Sequence, residues 1–185
     1  MTLEEFKGKV YQLIEEYNEN AEDLTDDQDL SAKMNSVINT IMNEVARIKK
    51  IDAYMTMEVE FEDGEDFHMV DLKDVDKKLY QINIIRGVES QVDGKKIVFS
   101  TEGKAHIFYY KYPVQINEET DDDYVFELDN ECLEAMVYGV AGDLLKADVS
   151  ANYGKLYSER YEQMLQRLDP RRAMGSLFID GGIRV

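Results

Sequence analysis

The chain has 185 residues, a 44% hydrophobic share and a formal net charge of −18, from 39 acids against 21 bases. That size and apolar share suit a packed globule of one or two domains and exclude a disordered chain. A surface so acidic repels phosphates and lacks the basic stripe of a DNA-binding module.

No apolar run approaches the length of a membrane span, and the opening MTLEEFKGKV lacks the basic-then-apolar form of a secretory signal. The chain is therefore expected to be made and folded inside the cell. Its single cysteine, Cys132, cannot close an internal disulfide, which agrees with a reducing compartment. Acids flank Cys132 and disfavour a thiolate, so the residue reads as a small packed side chain.

Thr2-x-x-Glu5 has the form of a capping box, and Leu3, Phe6, Val10, Leu13, Ile14 and Tyr17 follow at helical spacing. They predict a first helix to about Asn18. The stretch from Glu15 to Asp29 holds eight acids and no base, and its later part reads as a solvated connection. Leu30, Met34, Val37, Ile38, Ile41, Met42, Val45 and Ile48 form a second helical stripe. Arg47, Lys49 and Lys50 lie in its last turn, where the helix dipole favours positive charge.

After Ile51 the period changes to two. Met55, Met57, Val59 and Phe61 alternate with Thr56, Glu58 and Glu60, as in a strand with one buried face. EDGED supplies a turn, FHMVDL a second strand, and KDVDKKLY a turn or short helical crossing. QINIIRG, KKIVFS and AHIFYYKYP follow, punctuated by Gly87, Asp93-Gly94 and Glu102-Gly103. About five short strands joined by tight turns predict an antiparallel sheet or small sandwich, closed by Pro113.

Helix then returns. Leu133, Met136, Val137, Val140, Ala141, Leu144 and Leu145 make a wide stripe that includes Gly139 and Gly142. Glycine costs roughly 1 kcal/mol against alanine inside a helix, which is tolerable where another helix crosses closely. A fourth helix carries Tyr153, Leu156, Tyr157, Tyr161, Met164, Leu165 and Leu168 on one broad face, and Asp169-Pro170 stops it. The expected fold is α+β: a helical bundle built from both ends of the chain, with an inserted antiparallel β-sheet or sandwich. The corresponding segments are 1–52 and 117–170 for the bundle, 53–116 for the β domain, and 171–185 for an extended tail.

Within that tail, SLFI and IRV have strand character around Asp180-Gly181-Gly182. A lone hairpin is marginal in water, so the tail should dock, either on its own β domain or as a strand added to another subunit. Arg171, Arg172, Leu177, Phe178, Ile179 and Ile183 are the candidate partner-interface residues. Five of the seven arginines lie near this end, against the acidic stretch near the other, so oppositely charged ends of neighbouring copies could meet.

Catalytic chemistry has no obvious carrier. His68 and His106 lie in separate strands without a cysteine or defined carboxylate partner, a poor basis for zinc. DLKDVD and TDDDYVFELD lack the spacing and central glycine of an EF-hand. No G-x-S-x-G, phosphate loop or dinucleotide fingerprint occurs. No catalytic residue, metal site or cofactor is expected. IFYYKY could present an aromatic platform, with alternate side chains in the core.

Several stretches resemble head–tail connector (adaptor, or neck) proteins of tailed bacteriophages. They are LSAKMNSVINTIMNEVARIKKI; VDLKDVDKKLYQINIIR followed by GKKIVFSTEGKAHIFYYKYP; and DDDYVFELDNECLEAMVYGVAGDLLKAD with YGKLYSERYEQMLQRL. Together they cover nearly the whole chain, as patterns of packing and turns rather than catalytic signatures. The resemblance implies a virion structural protein that assembles as a ring, commonly a dodecamer, beneath the portal protein. Such a ring extends the DNA channel, lets DNA pass without specific binding, and offers a platform to the next neck or tail protein. It further implies a helical part facing neighbours, a β part decorating the ring, and terminal segments that order on assembly. A carbohydrate- or peptide-binding β-sandwich is the alternative, and a carboxylate hydrolase stands last because nothing ranks one acid above another.

Overall fold

Thr2 and Glu5 form the expected reciprocal cap: the Glu5 amide donates to Thr2 Oγ1 at 3.2 Å and the Thr2 amide to Glu5 Oε2 at 3.0 Å. The first helix, α1 (Leu3–Glu15), buries Leu3, Phe6, Val10 and Ile14 along one stripe. The chain is an α+β protein in this computed structural model, which describes residues 1–15, 28–62, 64–145 and 151–168. Residues 16–18, the acidic connection up to Asp27 and the whole tail 171–185 lie outside those, as does the side chain of Leu30.

A second helix, α2 (Gln28–Lys49), buries Met34, Val37, Ile38, Ile41, Met42 and Val45. It ends where Lys50 takes the left-handed backbone region, φ 58°, a common way to stop a helix. The strands are β1 (Ile51–Val59), β2 (His68–Asp71), β3 (Leu79–Arg86), β4 (Ser90–Asp93), β5 (Lys96–Phe99) and β6 (Gly103–Lys111). A single helical turn, α3 (Leu72–Val75), makes the short crossing between β2 and β3. The last helices are α4 (Asn130–Leu145) and α5 (Ala151–Leu168).

Two compact units divide the chain. One is built from residues up to Lys49 and again from Ile116 onward, the other from Lys50–Gln115. In the first, α4 packs against α1, α2 and α5. Cys132, Ala135, Gly139 and Gly142 are buried along with the predicted stripe of α4, so this helix is covered on most of its circumference. An all-round apolar helix is the kind that occupies a core.

Hydrogen bonds join the early and late parts of the chain within this unit. The amides of Leu3 and Glu4, which no helical carbonyl can reach, donate to the carbonyls of Tyr124 at 2.9 Å and Asp122 at 3.0 Å. Phe6 packs its ring on Phe126, centroids 5.2 Å apart. Tyr157 of α5 donates to the Leu13 carbonyl at 3.1 Å, and Tyr161 to Glu44 Oε2 at 3.0 Å. Not all of the α5 face expected from periodicity is covered. Tyr153 and Leu156 are 39% and 54% exposed, because contact with the core runs through Tyr157, Tyr161 and Leu168.

In the second unit, β1-β6-β3 and β2-β5-β4 form two antiparallel three-stranded sheets. Val59, Ile97, Phe99, Ala105, Ile107 and Tyr109 make one buried cluster that draws on both sheets. This is the small sandwich of the two architectures the sequence left open, with one strand more than the five expected. Ile82 and Ile85 both face that cluster because a bulge between Ile82 and Ile84 shifts the register.

Candidate functional site

The expected partner-interface residues, Arg171, Arg172, Leu177, Phe178, Ile179 and Ile183, lie outside the described residues. Among the described ones, exposed and half-buried functional side chains gather on the outer face of the β1-β6-β3 sheet. Alternation along β6 sends Ala105, Ile107 and Tyr109 inward and leaves His106, Phe108 and Tyr110 on the other side.

Neighbouring strands complete the face by register. Tyr54 and Ile84 stand opposite Phe108, and Thr56 and Arg86 opposite His106. The Tyr54 ring is 4.9 Å from Phe108 and stacks on His106 at 6.0 Å. Tyr80 lies 4.7 Å from Tyr112 and 6.4 Å from Tyr110. Two cations sit over these rings: Lys50 Nζ at 4.5 Å from the Tyr110 centroid and Arg86 Cζ at 5.6 Å from that of Phe108. Such contacts contribute about 0.5–1 kcal/mol each at exposed sites. His106 Nδ1 is 2.7 Å from the Tyr54 hydroxyl and 3.2 Å from Thr56 Oγ1, which also donates to the Tyr54 hydroxyl.

Tyr54 remains 54% exposed and Ile84 41% exposed in this arrangement. The face therefore combines flat rings, two cations and a hydroxyl–imidazole cluster, which suits stacking and hydrogen bonding. The aromatic row follows from the sequence alternation. The cations do not, because Lys50 and Arg86 reach the rings only through strand pairing. His68 belongs to β2, in the other sheet.

Cys132 is buried in the helical unit, where the Asp129 carboxylate accepts the Cys132 amide at 2.9 Å and so caps α4. Lys49 bridges to Asp129 at 3.2 Å. The Cys132 backbone amide, its thiol and Lys49 hold the Asp129 carboxyl below its ordinary value. Burial, then the hydrogen bond to Asp129, pushes the thiol up to about 12.

An unfolded chain ionises that thiol near 9.0. The neutral buried thiol therefore contributes fully below that pH, and its contribution falls as pH rises toward about 12. Urea midpoints should hold steady from pH 7 to about 8.5 and drop above, with a smaller drop in Cys132→Ala. Alkylation of Cys132 at neutral pH should track unfolding. A fast reaction with the native protein would contradict the burial.

Among the described residues, no group of three or more His, Cys, Asp or Glu side chains is placed to hold a metal ion, and no helix is long and apolar enough to cross a membrane. No protein-family model matches the chain, and no curated protein matches it.

Proposed function

We propose that the chain is a non-enzymatic head–tail connector of a tailed phage or prophage. It assembles as a ring under the portal protein, extends the DNA channel and docks the next neck or tail component. The observation that carries this reading is the packing of α1 and α2 with α4, which lies beyond the strands in the chain. In this reading the two ends of the chain build one helical bundle with the strands as an insertion between its halves, the organisation implied by the resemblance.

Two features support it further. Tyr153 and Leu156 leave apolar surface on α5 for a neighbour to cover. A net charge of −18 lets DNA slide past a channel wall without the phosphate contacts that create affinity. The ring interface is heterologous and closing, so the differently charged ends of the chain can meet between copies.

Native mass spectrometry of the chain mixed with assembled portal rings tests this directly. Many copies should co-migrate with each portal ring. A chain ending at Pro170 should keep the helical content and thermal midpoint of the full protein, yet lose docking by tenfold or more. Failure of the full chain to join the portal discards the connector reading, and unchanged docking of the truncated chain discards the role of the tail.

The aromatic face favours a second reading, a β-sandwich module that binds a carbohydrate or peptide. The chain has no tryptophan, so its emission comes from its 12 tyrosines, of which Tyr54, Tyr80, Tyr110 and Tyr112 belong to the aromatic row. Under this reading, a saturating glycan or peptide changes that emission, and Tyr54→Ala with Phe108→Ala weakens binding at least tenfold. Stacking of about 1 kcal/mol per ring sets that scale.

A further inference from the structure

Register orders the outer face of the β1-β6-β3 sheet into rows across its strands. One row is Thr56, His106 and Arg86, and the next is Tyr54, Phe108 and Ile84. The first consists of hydrogen-bonding groups, the second of two rings and a branched chain. The central strand β6 is paired on both sides, so a ligand on this face meets side chains rather than an open strand edge.

The protons of the first row are directed. Thr56 donates to the Tyr54 hydroxyl, which leaves the Tyr54 proton for His106 Nδ1 at 2.7 Å. A neutral imidazole that accepts at Nδ1 carries its own proton on Nε2. That Nε2–H has no acceptor among the described residues. Arg86, opposite His106, lies over the Phe108 ring and forms no ion pair among the described residues. The chain has 39 acids against 21 bases, yet no carboxylate stands in this row. Two donors, one of them charged, are therefore left at the end of an exposed aromatic shelf.

We infer that this face binds a sugar bearing a carboxylate, with the sugar ring on Tyr54 and the carboxylate between Arg86 and His106. A pyranose has a broad side of C–H groups, which packs on a flat exposed ring, and a rim of hydroxyls, which hydrogen-bond. Tyr54 is 54% exposed, and its ring lies within 11° of parallel to that of His106. The hydroxyls of Tyr54 and Thr56 are at hand for the rim. A guanidinium fork takes both oxygens of a carboxylate, and the imidazole Nε2–H adds a further donor. A nucleic-acid strand fits less well, since it would bring a phosphate with every base toward a chain of net charge −18. The ligand class rests on the binding-module reading given above, which it narrows to an acidic glycan, and is independent of ring assembly.

The test probes a glycan array with the labelled full chain. The array holds uronate- and sialate-bearing glycans, their carboxyl-reduced counterparts, neutral glycans, acidic peptides and oligothymidylate. The tightest acidic glycan is then titrated by NMR, and should bind at least tenfold more tightly than its carboxyl-reduced form. Arg86→Ala should abolish that difference, weakening the acidic form while the reduced form binds as it does to the parent. Tyr54→Ala should weaken both forms alike. Tyr54→Phe keeps the ring but cuts the relay to His106, and should weaken the acidic form about threefold. Met69→Ala, on β2 in the other sheet, should leave binding unchanged. Tyr54, Arg86 and Met69 are all exposed, so the thermal midpoints of these variants should stay near that of the parent.

Acidic-glycan binding that Arg86→Ala leaves intact overturns the inference. Preference for neutral glycans or for peptides also overturns it, while the binding-module reading stands. Preference for oligothymidylate, or no binding to any probe, overturns both.

Discussion

Phe6→Ala is expected to destabilise the helical unit by about 4 kcal/mol, within the range for emptying a buried aromatic site. Phe6 is 0% exposed and rests on Phe126, a residue from the other side of the β unit in sequence. The loss therefore falls on the join between the early and late parts of the chain. Hydrogen exchange read residue by residue checks it. Protection of Met136 in α4 should drop by roughly three decades, while that of Ile107 in β6 should change little. Equal losses at both would mean that the two units unfold as one, contrary to their separate cores.

Gly142→Leu is expected to cost about 3 kcal/mol, the upper part of the range for overpacking. A Cβ at this position would lie 2.8 Å from Ser158 Oγ, 2.9 Å from the Ser158 amide nitrogen and 3.1 Å from the Gly154 carbonyl oxygen. The hydroxyl can rotate aside, but the two backbone atoms belong to α5 and cannot. Ser158→Gly should thus fail to rescue the variant. Gly142→Ala should be milder, because alanine recovers about 1 kcal/mol of helix propensity against the same crowding. Thermal melts of the three variants rank them, and a Gly142→Leu protein as stable as its parent would show that the helices do not cross so closely.

Those glycines were legible in the sequence, since a costly residue inside an apolar stripe already asks for a close neighbour. So were the capping box at Thr2 and the alternation of β1 and β6, because local geometry alone decides them. β4 was not. Ser90, Gln91 and Asp93 give it little apolar content, and it becomes a strand only by pairing with β5 across the turn at Gly94. Tyr153 and Leu156 misled in the opposite direction: helical spacing places a residue on a face but does not say how far the partner extends.

The same limit applies to the surfaces. Alternation exposed the aromatic row, whereas Lys50 and Arg86 joined it through register, and Asn35 was one polar residue in a helix until its surroundings were known. Its side-chain oxygen, without a partner among the described residues, reflects the packing around it. Pairwise spacing carries no sign of such a debt to tertiary structure.

The split composition of the helical unit has a consequence for synthesis. The sandwich is continuous from Lys50 to Gln115, so all its strands leave the ribosome together and can close while translation proceeds. The helices emerging before it must wait for α4, since the carbonyls of Asp122 and Tyr124 and the ring of Phe126 are not yet made. A nascent chain whose first 116 residues have cleared the ribosome would hold a finished sandwich behind two unpartnered amphipathic helices, and that is the stage at which chaperone contact is most useful.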